Sequence, residues 1–520
     1  MTTAVAESVS GIASLSAGRD KAIIPVLGFL AAIQGVDPNI ASTALVGASR
    51  GLQMSPGTVS LAASISTLAL AATAITSGVL ADRLGRRRVL LAGLFACIIG
   101  DLMTAVAPAP FMYLAGRIIV GLGFGAVYGA AFALIRFVRT PRQFPAAMGI
   151  FTAVLAITAI TFTFVGGALA GISWRIAFLV VPFLCAIGVA LTVAVVPVQP
   201  RVGVGLKADV AGQLLLGGAI VGLLFGCSRS GGGLLRPDSG GALLLGVVLL
   251  LGFVIWESRY AEHFFPLEVL RKPLFFAAVC AGFVYNFTNA IVFLQLANLW
   301  QYLLKLGAMT VSLWELPFLF SGIAGAVIFG RLMKKGTTNR RALLVSGIST
   351  ASGLMLLALA RDSDTLMGFL PGIVLAGFGC MVASLPYGNL IIQVAPTKYF
   401  GPVTSSRTTF GQFFYAAGLA LGTVFIDGLT KGGTVSRLKA AGVPPSHVGA
   451  GLDAVSAYAT KGTKASTELG QKALGAAAPA YVAAFGILMV VTAVLVLIAS
   501  VIGAYLLRHE TTVATSSSEI

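Results

Sequence analysis

Asp37 lies in an otherwise uncharged apolar run, in Gln34-Gly35-Val36-Asp37-Pro38-Asn39-Ile40-Ala41. A carboxylate at bilayer depth costs about 2.5–3.5 kcal/mol even on lenient insertion scales, so some role must offset it. One such role is to take up and release a proton, or to hold a cationic ligand. The same dipeptide also reads structurally. Asp-Pro is an N-cap followed by proline at the first helical position, which would cap a broken half-helix. The two readings are compatible, because broken membrane helices border ligand cavities.

Arg117 is the second charge inside an apolar run, in Arg117-Ile118-Ile119-Val120-Gly121-Leu122-Gly123-Phe124-Gly125-Ala126. It either finds a carboxylate partner or, being only a few residues inside its span, snorkels to the headgroups. Gly121, Gly123 and Gly125 permit close approach of another helix. Asp101, late in the preceding span, is available as a partner, although its position reads better as interfacial.

A third group is Gly78-Val79-Leu80-Ala81-Asp82-Arg83-Leu84-Gly85-Arg86-Arg87-Arg88-Val89-Leu90, a charged loop between two spans. Its four arginines mark a cytoplasmic loop. They leave Gly78, Asp82 and Gly85 unexplained. These charges sit where two halves of a bundle would slide, which makes the loop a candidate conformational switch. Gly78, Asp82, Arg83, Gly85, Arg86 and Arg87 are its working residues.

Pocket candidates are Gln34 beside Asp37, then Tyr285, Asn286 and Asn289, with Gln295 nearby. Asn286 and Asn289 share a helix face, and amides within a span face a cavity or glue one helix to another. Phe410, Gln412, Phe413, Phe414 and Tyr415 offer an aromatic wall for an amphipathic ligand, or ordinary packing. His263, His447 and His509 fall in loops or the tail, so no histidine relay or metal site is expected. The five cysteines show no C-x-x-C spacing and read as small buried hydrophobes.

The elements that must position these groups are membrane helices. Of 520 residues 57% are hydrophobic and only 10% charged, against about 25% charged in soluble domains. The formal charge of +17 resides in short loops, so nucleic acid is not the expected partner. On the ruler of about 20 apolar residues per crossing, roughly fourteen spans are expected. The first, near 22–48, is too long for a removed leader. The pair near 210–228 and 241–257 is the weakest, separated only by a Gly-rich stretch. Lys and Arg crowd alternate loops, which predicts both termini in the cytoplasm. The expected divisions are a cytoplasmic tail at 1–21, a six-helix bundle at 22–197 and two extra spans with linkers at 198–273. A second six-helix bundle follows at 274–507, then a tail at 508–520. Within it, Gly428 to about Gly475 reads as an extracytoplasmic flap of little apolar periodicity, with some helix near Ala454–Leu474. The loop Gly330-Arg331-Leu332-Met333-Lys334-Lys335-Gly336 through Arg341 occupies the place of the first arginine-rich loop, without its aspartate. Such an echo suggests duplicated bundles around a central cavity.

Over nearly its whole length the chain resembles the fourteen-span drug:proton antiporter branch of the major facilitator superfamily. Gly78–Leu90 matches the superfamily's loop motif, and Arg117–Ala126 resembles its fourth-span R-x-x-x-G-x-G motif. Ser173-Trp174-Arg175-Ile176-Ala177-Phe178-Leu179-Val180-Val181-Pro182 resembles the opening of its sixth span, and Asp37 aligns with a first-span acidic position. Two stretches depart from the pattern. Pro38-Asn39-Ile40-Ala41 replaces a Thr-Ile-Val-like run, and Phe162-Thr163 stands where the antiporter Gly-Pro precedes Gly166-Gly167. The resemblance implies an all-α fold of two six-helix bundles plus two central spans, exporting small amphipathic drugs or metabolites against protons by alternating access. Asp37 and Arg117 would couple the proton. It implies a monomer in the plasma membrane, with a small-molecule substrate, protons and the lipid bilayer as partners. No cofactor is expected, since the proton gradient supplies the drive. The missing Gly-Pro keeps an importer or facilitator of the same fold as the alternative. A polytopic membrane enzyme is disfavoured, because no histidine lies within a span and no nucleotide-binding loop is present.

Overall fold

A computed structural model describes residues 17–54, 56–138, 143–198, 209–229, 237–259, 265–304, 306, 308–396, 399–461 and 467–508. Among these, fourteen helices are long and apolar enough to cross a membrane, and there is no strand. The first half comprises α1 (Ala17–Gly51), α2 (Pro56–Leu84), α3 (Arg86–Ala105), α4 (Pro110–Val138), α5 (Phe144–Ile172) and α6 (Val180–Val195). Next come α7 (Val210–Arg229) and α8 (Pro237–Arg259). The second half holds α9 (Pro273–Leu303), α10 (Ala308–Lys334), α11 (Asn339–Leu359), α12 (Leu366–Val394) and α13 (Phe400–Ala440). A surface helix α14 (Pro445–Lys461) precedes the last span, α15 (Glu468–Leu506). Helices are the form available here, because hydrocarbon offers backbone groups no partner outside the segment.

Packing repeats between the halves. In the first, α1 lies against α5, α4 and α6, and α4 also packs on α2 and α3. The second half repeats this with α9 against α13, α12 and α15, and α12 on α10 and α11. The halves meet where α2 packs on α13 and where α5 packs on α10. The extra pair lies between the halves in sequence but beside them in space. Its α7 leans on α2 and α13, and α8 exposes Leu244, Leu245, Val248 and Leu251 as a lipid-facing surface. Gly222 and Gly246 let α7 and α8 touch backbone to backbone. Asp209 fixes their ends by accepting from Gly212 N–H at 2.9 Å and Trp256 Nε1 at 3.0 Å.

Two expectations are corrected. First, α1 runs unbroken through Asp37 and Pro38, so Asp37 caps no half-helix. Pro38 merely lacks the N–H that Gln34's carbonyl would accept. Second, the flap is a folded helical cap. α13 spans 41 residues and α15 spans 39, so α13 is about 60 Å long at 1.5 Å per residue, twice the hydrocarbon thickness. The protruding ends and α14 bury Leu438, Val448 and Ala473 in a small core of their own. Alanine-rich sequence with sparse large hydrophobes still makes good helix.

Candidate functional site

Four helices of the first half converge on one charge cluster. From α4, Arg117 grips Asp37 of α1 with both terminal nitrogens, Nη1 to Oδ1 and Nη2 to Oδ2, each at 2.6 Å. Nη1 also donates to Asp101 Oδ1 of α3 at 3.0 Å, and Ser66 Oγ of α2 donates to Asp37 Oδ2 at 3.3 Å. The guanidinium carbon lies 5.4 Å from the Phe178 ring centroid. Both carboxylates are fully buried and Arg117 is 1% exposed. Arg117 therefore does not snorkel, and Asp101 is a buried partner, not an interfacial residue. The cause is backbone contact. A Cβ on Gly116 would fall 2.6 Å from the Gly100 carbonyl, so these two glycines bring α3 and α4 together one residue from Asp101 and Arg117. Two carboxylates share one guanidinium, so with both ionised the cluster holds one negative charge in excess. Asp101 Oδ2 and Arg117 Nε have no hydrogen-bond partner among the described residues.

The fourth-span glycines serve packing on two sides. Gly121 and Gly125 face α2, at Ser66 and Thr73, while Gly123 faces Cys97 and Gly93 of α3. A side chain on Gly121 would overlap the Ser66 carbonyl and push away the helix that supplies the hydroxyl to Asp37. Gly121→Val is expected to destabilise the fold by about 1–3 kcal/mol through overpacking. Gly167→Ala, where a Cβ meets nothing within 4 Å, is the neutral control, and thermal unfolding in detergent measures both.

The arginine-rich loop forms a clamp between the halves. Gly85 has φ +96°, a conformation that favours glycine, and starts α3 directly after α2. Asp82 Oδ2 accepts the Gly401 N–H at 2.6 Å. This donor belongs to the first turn of α13, whose N–H groups have no partner within the helix. A carboxylate there also meets the positive end of the helix dipole. Arg86 pairs with Asp82 and lies 5.4 Å from the Phe400 ring centroid. Gly78 makes the approach possible, since a Cβ there would sit 2.5 Å from the Gly401 carbonyl and Ser405 Oγ. Arg87 ties the loop to α6 through the Val193 carbonyl at 3.0 Å. Arg83 is half-buried at the end of α2. The echoing loop of the second half packs differently. Gly149 of α5 faces Ala326 and Gly330, with no aspartate to cap the helix.

A cavity of about 680 Å³ lies between the halves, on the side of the clamp away from the loop. Gln34, Tyr285, Asn286 and Tyr415 line it, as expected of pocket residues. Asn289 and Phe414 do not line it. Asn289 Nδ2 donates to the Tyr285 carbonyl at 2.8 Å, and Phe414 packs against Phe283 at 5.6 Å between ring centroids. Gln295 is interhelical glue, accepting from Tyr481 Oη at 3.1 Å. Asp37 stays behind the wall, although its neighbours Pro38 and Asn39 form part of the lining. Arg407 and Tyr387 also line the cavity and escaped the sequence reading. The signal for Arg407 was a charge inside a span, the same one that marked Asp37. The two departures from the family pattern meet each other, as Asn39 Nδ2 donates to Thr163 Oγ1 at 3.2 Å.

The sequence model of the Major Facilitator Superfamily matches residues 27–419. Puromycin resistance protein pur8 of Streptomyces alboniger is 26% identical over 423 residues, which cover 79% of this chain and 82% of that protein. The probable actinorhodin transporter of Streptomyces coelicolor is 28% identical over 395 residues, covering 71% of this chain and 66% of that one, just under two thirds of its length. Among solved structures, the proton:xylose symporter XylE superimposes with a TM-score of 0.58 at 12% identity, covering 92% of this chain and 95% of that chain. At that identity the likeness speaks for the fold alone. With duplicated bundles, fourteen candidate spans and a family match over most of its length, the chain belongs to the Major Facilitator Superfamily of membrane transporters.

Proposed function

We propose that the protein is a proton-coupled exporter of small amphipathic drugs or metabolites, working by alternating access in the plasma membrane. The observation that carries this is the buried Asp37–Arg117–Asp101 cluster set directly behind the cavity wall. Its excess negative charge is expensive in a low-dielectric site. One proton on either carboxylate cancels that charge. Protonation of Asp37 loosens α1 from α4, and α1 carries Gln34 and Asn39 into the cavity, so proton and substrate act on one helix. No cofactor enters this scheme. Names given to relatives, a puromycin resistance protein and a probable actinorhodin transporter, support the substrate class and the outward direction. An importer or facilitator of the same fold is the second reading, favoured by Phe162-Thr163 standing where the antiporter Gly-Pro would precede Gly166-Gly167.

Inverted membrane vesicles with an acidic lumen test the proposal against a panel of radiolabelled amphipathic compounds. Accumulation that a protonophore collapses is the expected result. Uptake indifferent to the gradient rejects coupling, and accumulation only in right-side-out vesicles favours import. The orientation has its own test. With both termini inside, the helical cap faces outward, so Ser446→Cys on α14 should react with a membrane-impermeant maleimide in intact cells. Reaction only after the membrane is opened reverses the topology.

A further inference from the structure

We propose that the cavity selects amphipathic organic anions, with Arg407 as the residue that holds the carboxylate or sulfonate. This rests on the reading above that the cavity is where the substrate binds.

Among the described residues that line the cavity, Arg407 is the one that carries a charge. The remaining lining is apolar, hydroxyl, amide or tyrosine, with no Asp or Glu. The acid closest in sequence to the lining, Asp37, turns both oxygens into Arg117 and presents none to the cavity. Within the lining, the charge offered to a ligand is therefore that of Arg407; Glu315 faces Tyr415 from outside the lining, and the cluster behind the wall keeps its carboxylates to itself.

Arg407 is also held in place. It is 5% exposed, and its guanidinium carbon lies 4.9 Å from the Tyr387 ring centroid. Tyr387 is 1% exposed and donates its hydroxyl to the Arg407 carbonyl. Gly282 leaves room for that ring, since a Cβ there would stand 2.6 Å from Tyr387 Cε2. An arginine stacked on a fixed aromatic face loses little freedom when it binds, and its planar fork suits a carboxylate. Removing a cation from water is costly, so a ligand that brings the opposite charge is favoured over a neutral isostere. A cationic ligand meets like charge instead. Leu68, Leu155, Leu419 and Tyr415 supply the surface for its apolar body, in a volume typical of small-molecule sites. The helical cap adds long-range steering of the same sign. Between 427 and 478 the chain carries six Lys and Arg against three Asp and Glu.

The test uses purified full-length protein in lipid nanodiscs and three isosteric probes: 2-naphthoate, 2-naphthamide and 2-naphthylmethylammonium. Equilibrium binding of radiolabelled 2-naphthoate, with the other two as competitors, is expected to rank anion over amide by roughly ten-fold or more, with the cation weakest. In Arg407→Gln the anion-to-amide ratio should fall to near one. Arg407→Lys, which keeps the charge but not the fork, should retain part of the preference and stands in if the glutamine variant does not fold. A cation-first order, no binding of 2-naphthoate, or an unchanged ratio in Arg407→Gln overturns the proposal. The binding assay needs no gradient, so the two readings fail separately. Gradient-driven transport of cations with 2-naphthoate unbound would sink the anion site alone. An anion-first order without gradient-driven transport would sink the coupling alone.

Discussion

Asp37→Asn is expected to reduce gradient-driven transport to the level seen without a gradient, while the protein remains folded. The substitution removes the excess negative charge and leaves Arg117 paired with Asp101 at 3.0 Å. A neutral cluster is tolerated in the bilayer, so the thermal midpoint should hardly move. What is lost is the site where a proton changes the grip of α1 on α4. Exchange of labelled for unlabelled substrate needs no net proton movement and should persist. Arg117→Leu is the contrasting case. It strands two buried carboxylates, and breaking a buried pair from one side costs about 3–5 kcal/mol, so little folded protein should be recovered. Adding Asp37→Asn and Asp101→Asn to Arg117→Leu removes the stranded charges and should restore folding but not coupled transport. Uptake assays beside thermal unfolding separate the two effects. Gradient-driven accumulation surviving in Asp37→Asn would sink the coupling role.

How much of this was legible follows from what each signal depends on. Asp37 and Arg117 stood out because a charge inside an apolar run is penalised wherever its helix packs. Their meeting with Asp101 was not legible, since it depends on the Gly100–Gly116 contact between α3 and α4. The same limit applies to the pocket candidates. Asn286 and Asn289 share a face by periodicity and both bond back to their own helix, at the Gly282 and Tyr285 carbonyls, yet only Asn286 lines the cavity. Pro38 misled because Asp-Pro caps helices in water, whereas neighbouring helices support α1 through a missing hydrogen bond. Ser405-Ser406-Arg407-Thr408-Thr409 lies near the start of its span, where sequence alone does not say whether Arg407 meets a cavity or a neighbouring helix. In the fold all five residues belong to α13, which begins at the clamp and continues past the cavity into the cap.

That continuity gives the clamp its predicted effect. α13 carries Gly401 in its first turn, Arg407 and Thr423 in the cavity wall, and Leu438 in the cap core. A bond at Gly401 therefore acts on the orientation of the whole helix. Hydrogen bonds to charged groups contribute about 1.5–3 kcal/mol, and the one from Gly401 to Asp82 joins the halves on the loop side. It stabilises the conformation described here, with the loop side shut and the cavity on the other side. Asp82→Asn weakens this bond and leaves the buried Arg86 without its carboxylate. The balance should then shift by about ten-fold or more toward the opposite orientation. Spin labels at Gln53 and Gln301 report the cavity side, and a second pair at Leu84 and Lys335 reports the loop side. In Asp82→Asn the first pair should gain a shorter distance and the second a longer one, with slower turnover but little change in binding affinity. Two unchanged distance distributions, together with a native transport rate, would show that Asp82 holds the loop in shape without governing the switch.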